Sequence, residues 1–279
     1  MQPVPLTREV RAFLAAYQRV YGGAPKVMVE CGARDFMETT LFSELNPSGR
    51  IFSFECNPFT LPRCRERLKK LPNVELIEKA VSDQDGTVSF FPTDPEKTVT
   101  MMDEGNPGAS SLFKANPDFT AEKYVQSEIT VPTTRLDTFL AEKKIPAIDA
   151  MWMDIQGAEL MALRGLGERL HEIGMVHTEV EFFEIYQGQP LFPEVKQFLN
   201  RQGFKLYAFT RFHAHDGDAI FVNTRKVGAG MKLRLSISNA LAYSYHKFVH
   251  RYDGPFLQGV LNLARGPYRL VRKVVRSAG

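Results

Sequence analysis

The chain has 279 residues, 44% of them hydrophobic and 24% charged, which is the composition of an ordinary globular protein with material for one large core. Its three cysteines are odd in number and lack metal-type spacing, which excludes a disulfide framework and favours a reducing compartment. The sequence has no uncharged apolar run of about 18 residues and no long apolar leader, so we expect a cytoplasmic protein.

The first third of the chain alternates helices with β-rich runs. Apolar residues recur at helical spacing within residues 1–25 and predict an N-terminal helix that stops at Gly22 and Gly23. Three predicted strands and two helices then alternate: strands at 26–33, 51–55 and 74–81, and helices at 37–45 and 58–71, the second with Pro58 in its first turn. Such alternation indicates a parallel sheet with right-handed crossovers.

The middle of the chain is less regular before the alternation resumes. A polar, loop-rich stretch at 92–128 separates two β-rich runs, 87–91 and 128–136, which we expect to pair as an antiparallel ribbon. The later elements are a helix capped by Asp137 that runs to Lys144, a strand at 148–154, a helix at 157–172, a strand at 174–182, a helix at 193–202, and a closing hairpin of strands at 204–209 and 217–223. The expected fold is α/β and Rossmann-like over residues 26–223, with a seven-stranded, mostly parallel sheet and a terminal antiparallel hairpin.

Acidic residues end the first two predicted strands, where α/β folds bind their ligands. The first strand ends in Glu30-Cys31-Gly32-Ala33, and the glycine lets a ligand approach the backbone closely. Glu55 ends the second strand, 25 residues beyond Glu30 and close to the offset of about 20 residues at which an acid reaches the ribose of a bound nucleoside. The alternative for Glu55 is a cap on the helix that follows it.

The segment 151–183 carries the strongest functional signal. One strand ends in Asp154, a helix opens after Gln156, and the next strand places His177, Glu179 and Glu181 on one face. Because the two strands are neighbours, we expect Asp154 and Glu179 to lie side by side, and with His177 they are candidate catalytic groups. They could remove a proton from a hydroxyl group, or carboxylates with a histidine could hold Mg²⁺ or Mn²⁺. The alternative for His177 is a position in the core.

The loop of the terminal hairpin is a second place where metal-binding residue types are crowded. It contains His213, His215, Asp216 and Asp218. A solvent-exposed turn at Gly217 is the simpler interpretation of the histidines. Asp218 lies in a GDA motif that resembles one found in a known family, and this resemblance makes it a candidate to close the site. The candidate metal ligands are therefore Asp154, Glu179 and Asp218.

The chain lacks the glycine pattern of dinucleotide sites. No G-x-G-x-x-G is present, and Arg34-Asp35-Phe36 stand where such a site has glycines. A nucleoside without a pyrophosphate therefore fits the first strand better than NAD does.

Seven motifs occur in the order found in a known family: VMVECGA, FSFECNP, KAVSDQDGTVSF, RLDTFL, WMDIQGAELMALRG, HTEVEFFEIYQG and GDAIFV. Over residues 26–223 the chain resembles the FkbM-type S-adenosylmethionine-dependent methyltransferases. The resemblance implies a class I methyltransferase fold and a cofactor site formed by Glu30, Gly32, Ala33, Glu55, Cys56, Asn57, Ala80, Val81, Asp154 and Gln156. Family members usually have Asp at the position of Glu30, Asn at that of Arg34 and Gly at that of Phe36.

The resemblance implies methylation of hydroxyl groups on sugars, polyketides and related compounds. We therefore expect an S-adenosylmethionine-dependent O-methyltransferase whose acceptor is a glycan or another hydroxylated metabolite. Two alternatives stay open: an NAD-type oxidoreductase, which the missing glycine pattern opposes, and a catalytically silent nucleoside-binding or membrane-associated scaffold, which Phe36 and the basic tail suggest.

The charge is divided between an acidic body and a basic C-terminal extension at 224–279. The net charge is +3, yet this extension contains 11 Lys/Arg and a single acid. Helices are predicted over 240–276, and the last has Leu270, Val271, Val274 and Val275 opposite Arg269, Arg272, Lys273 and Arg276. This pattern is typical of a helix lying on anionic lipid, here at the inner face of the membrane. Packing on the acidic body or in a homo-oligomer is the alternative, and the absence of interleaved aromatic residues argues against nucleic acid.

Overall fold

The computed structural model describes residues 6–236, apart from Met101 and Ala214. Its helices are α1 Leu6–Tyr21, α2 Met37–Leu45, α3 Leu61–Leu68, α4 Leu136–Glu142, α5 Glu159–Arg164 and α6 Phe192–Arg201. Its strands are β1 Val27–Cys31, β2 Arg50–Phe54, β3 Val74–Ile77, β4 Ala80–Val81, β5 Gly86–Phe90, β6 Ile129–Thr134, β7 Ala150–Met153, β8 Met175–Glu181, β9 Phe204–Phe212 and β10 Asp216–Asn223.

Seven of these strands form one sheet in the order β3-β2-β1-β7-β8-β10-β9. The strands from β3 to β8 pair in parallel, and β10 runs antiparallel to both β8 and β9. In the terminal hairpin the second strand, β10, therefore lies between β8 and β9, and the first strand, β9, forms the edge of the sheet. This confirms the predicted Rossmann-like class I methyltransferase arrangement.

The part of the chain between β3 and β7 forms a second sheet of three strands, in the order β4-β6-β5. The predicted antiparallel ribbon is present as the β5–β6 pair. The predicted strand at 74–81, however, is two strands, because the Lys79 N–H bonds the Ile77 carbonyl and turns the chain. β4 then pairs in parallel with β6, so Ala80 and Val81 follow a sharp bend at the end of β3.

Three predicted helices differ from the structure in extent or capping. The helix predicted at 157–172 is α5 followed by a 3₁₀ helix at Gly167–Glu172, since Gly167 adopts a left-handed φ of +50° that interrupts the α-helix. α3 begins at Leu61, so the proline in its first turn is Pro62 and not Pro58. Asp137 lies within the first turn of α4, whose N-cap is Arg135.

The core continues beyond the predicted limits of the central domain. Phe13 of α1 packs edge to face on Trp152 of β7, with ring centroids 5.5 Å apart. Leu235, in a helical segment at 229–236, is buried in the same cluster, and the compact unit extends to this residue and not to the predicted boundary at 223. The predicted tail helices over 240–276 lie outside the described residues. Within the described part of the chain, no helix combines the length and apolarity needed to cross a membrane.

The ends of β1 and β7 approach each other closely at Gly32. The N–H groups of Gly32 and Ala33 both bond the Phe54 carbonyl of β2, at 3.1 and 3.0 Å, and the Asp154 N–H bonds the Cys31 carbonyl at 3.0 Å. Gly32 has a φ of +86°, and a Cβ atom there would lie 1.9 Å from the Asp154 carbonyl oxygen. Only glycine allows the chain to leave β1 along this path.

We expect Gly32→Ala to lower the free energy of unfolding by about 3 kcal/mol or more. Roughly 1–2 kcal/mol comes from the left-handed backbone, and the rest from displacing the end of β7. Urea unfolding measures the loss. Gly22→Ala is the matched control, because Gly22 has a φ of +80° with no atom within 4 Å of the added Cβ. Equal losses in the two variants would contradict a rigid contact at Gly32.

Candidate active site

A cleft of about 560 Å³ opens at the carboxyl ends of β1, β2, β3 and β7. Seven of the predicted cofactor residues line it: Gly32, Glu55, Cys56, Asn57, Ala80, Val81 and Asp154. Pro107, Gly108 and Ser110 from the loop between β5 and β6 form the opposite wall.

Glu55 lies in this cleft with most of its hydrogen-bonding capacity already used. Its Oε1 accepts from the N–H groups of Cys56 and Asn57 at 2.9 and 2.7 Å, and its Oε2 accepts from the Arg34 N–H at 2.6 Å. A carboxylate has about four acceptor positions, so roughly one remains for a ligand. The side chain therefore joins the loops after β1 and β2 and still presents one acceptor to the cleft. Burial raises its pKa to about 7.

Glu30 and Ala33, both predicted to contact a ligand, lie behind the cleft wall. Glu30 is 1% exposed, and its Oε2 accepts from the hydroxyls of Thr39 and Ser53, each at 2.6 Å. Burial raises the pKa of Glu30 to about 8, so no exposed negative charge rims the cleft at this position. Ala33 packs in a small core cluster with Phe36. The prediction that Glu30 borders the site was wrong, because the end of β1 turns its side chain toward α2.

The loop after β1 holds two residues in the left-handed region. Arg34 has a φ of 49° and Phe36 a φ of 66°. These are the two positions where the related family usually has Asn and Gly, which adopt that conformation most readily. Phe36 is fully buried against Cys64 and Leu71, so its apolar burial offsets a backbone cost of roughly 1–2 kcal/mol.

The Gln156 amide joins the two predicted carboxylates. Its Nε2 donates to Asp154 Oδ1 at 2.7 Å and to Glu179 Oε2 at 2.5 Å. Its Oε1 lies 2.7 Å from the Tyr186 hydroxyl, and its backbone carbonyl accepts from the Ser111 hydroxyl at 2.6 Å. Gln156 itself has a left-handed φ of 54°. Asp154 and Glu179 do lie side by side as predicted, and Gln156 contributes to this network although it does not line the cleft.

Arg211 is a site residue that the sequence analysis missed. Its guanidinium bonds Asp218 at 2.5 Å and Glu179 at 2.8 Å, lies 2.8 Å from Asp216, and lies 4.0 Å from Glu9 of α1. Glu179, Asp218 and Arg211 are register neighbours on β8, β10 and β9. One partly buried cation therefore lies within 4.0 Å of four carboxylates. The only signal in the sequence was that Arg211 lies seven residues before Asp218. This spacing brings the two residues together only in the register that the hairpin adopts.

His177 lies in the aromatic core and not in the cleft. It is opposite Trp152 in the β7–β8 register, and the two rings stack 3.5 Å apart with Phe13 edge-on. Its Nε2 lies 3.0 Å from the Thr210 hydroxyl. Burial lowers its pKa to about 3, so the ring is neutral and a weak base. The core interpretation of His177 thus describes the structure better than the catalytic one.

The predicted metal trio does not assemble. Asp218 is held by Arg211, and among the described residues the carboxylates with oxygens within 4.8 Å of one another are Glu159, Glu179 and Glu181. Burial, followed by the charge of Asp154, raises the pKa of Glu179 well above its usual value. The hairpin histidines, His213 and His215, are exposed.

Comparison with known proteins agrees with this architecture. The family model for the methyltransferase FkbM domain matches residues 30–206. The 2-O-methyltransferase NoeI of Sinorhizobium fredii (strain NBRC 101917 / NGR234) is 30% identical over 202 residues, covering 71% of this chain and 80% of NoeI.

Two solved structures are more distant. The precorrin-6y C5,15-methyltransferase of Geobacter metallireducens GS-15 is 18% identical with a TM-score of 0.43, covering 77% of this chain and 87% of that one. The N-terminal domain of EvdMO1, solved with SAH and D-fucose, is 13% identical with a TM-score of 0.42, covering 80% and 84%. Because the family model spans more than half of the sequence and NoeI matches over most of it, the chain belongs to the FkbM methyltransferase family.

Proposed function

We propose that this S-adenosylmethionine-dependent O-methyltransferase acts on a hydroxyl group of a glycan or another hydroxylated metabolite, with Asp154 facing the acceptor. The observation that carries the proposal is the position of Asp154, which lines the cofactor cleft and is joined through Gln156 to Glu179. The similarity to NoeI, a 2-O-methyltransferase, supports transfer to an oxygen atom.

The cleft suits S-adenosylmethionine. Gly32 lines the cleft at the end of β1, and Glu55 has one acceptor position left for a ribose hydroxyl. Ala80 and Val81, which the family resemblance assigns to the cofactor site, line the cleft as well. When bound, this cofactor supplies an electrophilic methyl group. The carboxylate of Asp154 would attract the positive sulfonium and orient an acceptor beside it.

Asp154 is the better candidate for the group that accepts the hydroxyl proton. It lines the cleft, whereas Glu179 is 8% exposed with both oxygens occupied by Gln156 and Arg211. Glu179 therefore positions Gln156, and through it Asp154. Because Arg211 holds Asp218, the geometry favours a base over the predicted Mg²⁺ or Mn²⁺ shared by Asp154, Glu179 and Asp218. The family assignment favours methyl transfer over hydride transfer and over a silent scaffold.

A direct assay tests the acceptor class. Full-length protein would be incubated with S-adenosylmethionine and a panel of neutral, acidic and amino sugars, with S-adenosylhomocysteine as the readout. NMR of the product would locate the methyl group. We expect transfer to a sugar oxygen. Transfer only to nitrogen, sulfur or carbon would overturn the proposal.

Binding of S-adenosylmethionine should depend on the ionisation of Glu55. Because burial raises the pKa of this carboxyl to about 7, its ionised form is lost as pH falls below that value. We expect the Kd measured by calorimetry to rise about tenfold per pH unit below 7. Glu55→Gln should raise the Kd about 10- to 100-fold, the equivalent of a hydrogen bond to a charged acceptor, and should flatten the pH profile.

Glu128→Gln is the control for this experiment, since Glu128 is an exposed carboxylate bonded to Ser89 on the β5–β6 ribbon. Its Kd should match that of the wild type at every pH. A pH profile that persists in Glu55→Gln would remove Glu55 as its origin.

Asp154→Asn should lower kcat about 10²- to 10⁴-fold with a smaller change in the Kd of the cofactor, because the variant keeps the shape but loses the proton acceptor. Glu179→Gln should have an intermediate effect on kcat, since it disturbs Gln156 and Arg211 without removing the base. Steady-state kinetics with the acceptor found above measures both. A larger kcat loss in Glu179→Gln than in Asp154→Asn would reverse their roles.

The basic tail supports a separate proposal, that the protein associates with anionic membrane surfaces where a lipid-linked glycan would be presented. Each basic residue near such a surface contributes about 1 kcal/mol, so the four on one stripe suffice for reversible binding. Sedimentation with anionic and neutral liposomes should show salt-sensitive binding of the full chain. A chain ending at Gly254 should bind less, and equal binding by both would contradict the proposal.

A further inference from the structure

Three buried carboxylates converge behind the Asp154–Gln156–Glu179 network. Glu159 opens α5, while Glu179 and Glu181 lie on the same face at the end of β8. Each offers an oxygen within 4.8 Å of the others. Glu159 and Glu181 are each 2% exposed and Glu179 is 8% exposed. None of the seven cofactor-cleft residues named above belongs to this group, which shares Glu179 with the Asp154–Gln156–Glu179 network. We call it the triglutamate cluster.

The hydrogen bonds around the triglutamate cluster leave its charge poorly compensated. Glu159 Oε1 accepts from the Ile155 N–H at 2.9 Å, and the oxygens of Glu179 accept from Gln156 and Arg211. Glu181 Oε1 is buried without any hydrogen-bond partner. A buried carboxylate with an unpartnered oxygen, close to two other acids, is costly unless a cation or a proton is present.

The nearest guanidinium cannot neutralise the whole cluster. Arg211 bonds only one member, Glu179, and its remaining donors are directed at Asp216 and Asp218. Three converging carboxylates with so little positive charge are the ligand set that hard divalent cations prefer, since those ions bind oxygen almost exclusively.

We propose that Glu159, Glu179 and Glu181 bind one hard divalent cation. Two oxygens that each lie about 2.3–2.6 Å from Ca²⁺, or about 2.0–2.1 Å from Mg²⁺, are separated by at most roughly 5 Å, so oxygens within 4.8 Å of one another are compatible with either ion. The bound ion would hold the start of α5 to the end of β8. It would thereby fix Glu179, the carboxylate that positions Gln156, without itself touching the acceptor.

The test uses full-length protein and measures binding directly. After treatment with chelator and its removal, calorimetry with CaCl₂, MgCl₂ and MnCl₂ should detect one site for at least one of these ions. Calcium at about 100 times its Kd should raise the Tm by roughly 5–10 °C. Glu181→Gln keeps the shape of the side chain and should weaken binding at least tenfold. Circular dichroism confirms that the variant is folded.

Glu9→Gln is the matched control, because Glu9 is also a buried carboxylate near Arg211 but lies outside the triglutamate cluster. Its affinity for Ca²⁺ should equal that of the wild type. No binding of any of the three ions at millimolar concentration would overturn the proposal and indicate carboxyl groups that share protons. Equal binding by wild type and Glu181→Gln would overturn it by locating the ion elsewhere. These readouts do not involve methyl transfer, so their failure would leave the acceptor proposal unaffected.

Discussion

The arrangement of the site depends on one amide group, that of Gln156. Asp154 and Glu179 are both acidic and end neighbouring strands, so without a donor between them their charges would repel. The Gln156 Nε2 supplies that donor to both carboxylates, and the Tyr186 hydroxyl lies beside the Oε1 of the same amide. This orientation of the amide gives both carboxylates a donor and leaves the Gln156 Oε1 to accept from the Tyr186 hydroxyl.

Charge is the second constraint on this end of the sheet. Arg211 is surrounded by carboxylates from α1, β8 and β10, and burial raises the pKa of Glu9 to about 7. Keeping so many acids away from water costs stability, and part of that cost is offset by the bonds to the guanidinium. The negative potential that results suits a site whose cofactor carries a positive sulfonium beside the acceptor.

Backbone strain is concentrated around the same cleft. Arg34, Phe36 and Gln156 all adopt left-handed conformations that ordinary residues avoid. At two of these positions the family resemblance leads one to expect Asn and Gly, yet this chain adopts the left-handed conformation there with Arg and Phe. Phe36 does so by burying its ring in the core, so a residue that breaks the local pattern is stabilised by a contact distant in sequence.

The sequence alone determined the strand–helix alternation, the seven-stranded sheet and the position of Glu55 and Asp154 at one cleft. These follow from local periodicity and from the rule that parallel strands end at the same edge. Only the tertiary structure decided that Glu30 and His177 face the core and that Arg211 reaches Glu179. It also decided that the acids converging on Glu179 are Glu159 and Glu181, and not Asp218. Those outcomes depend on strand register and burial. Both are set by pairing between segments far apart in the chain: Arg211 meets Glu179 across β10, and His177 stacks on Trp152 across β7 and β8.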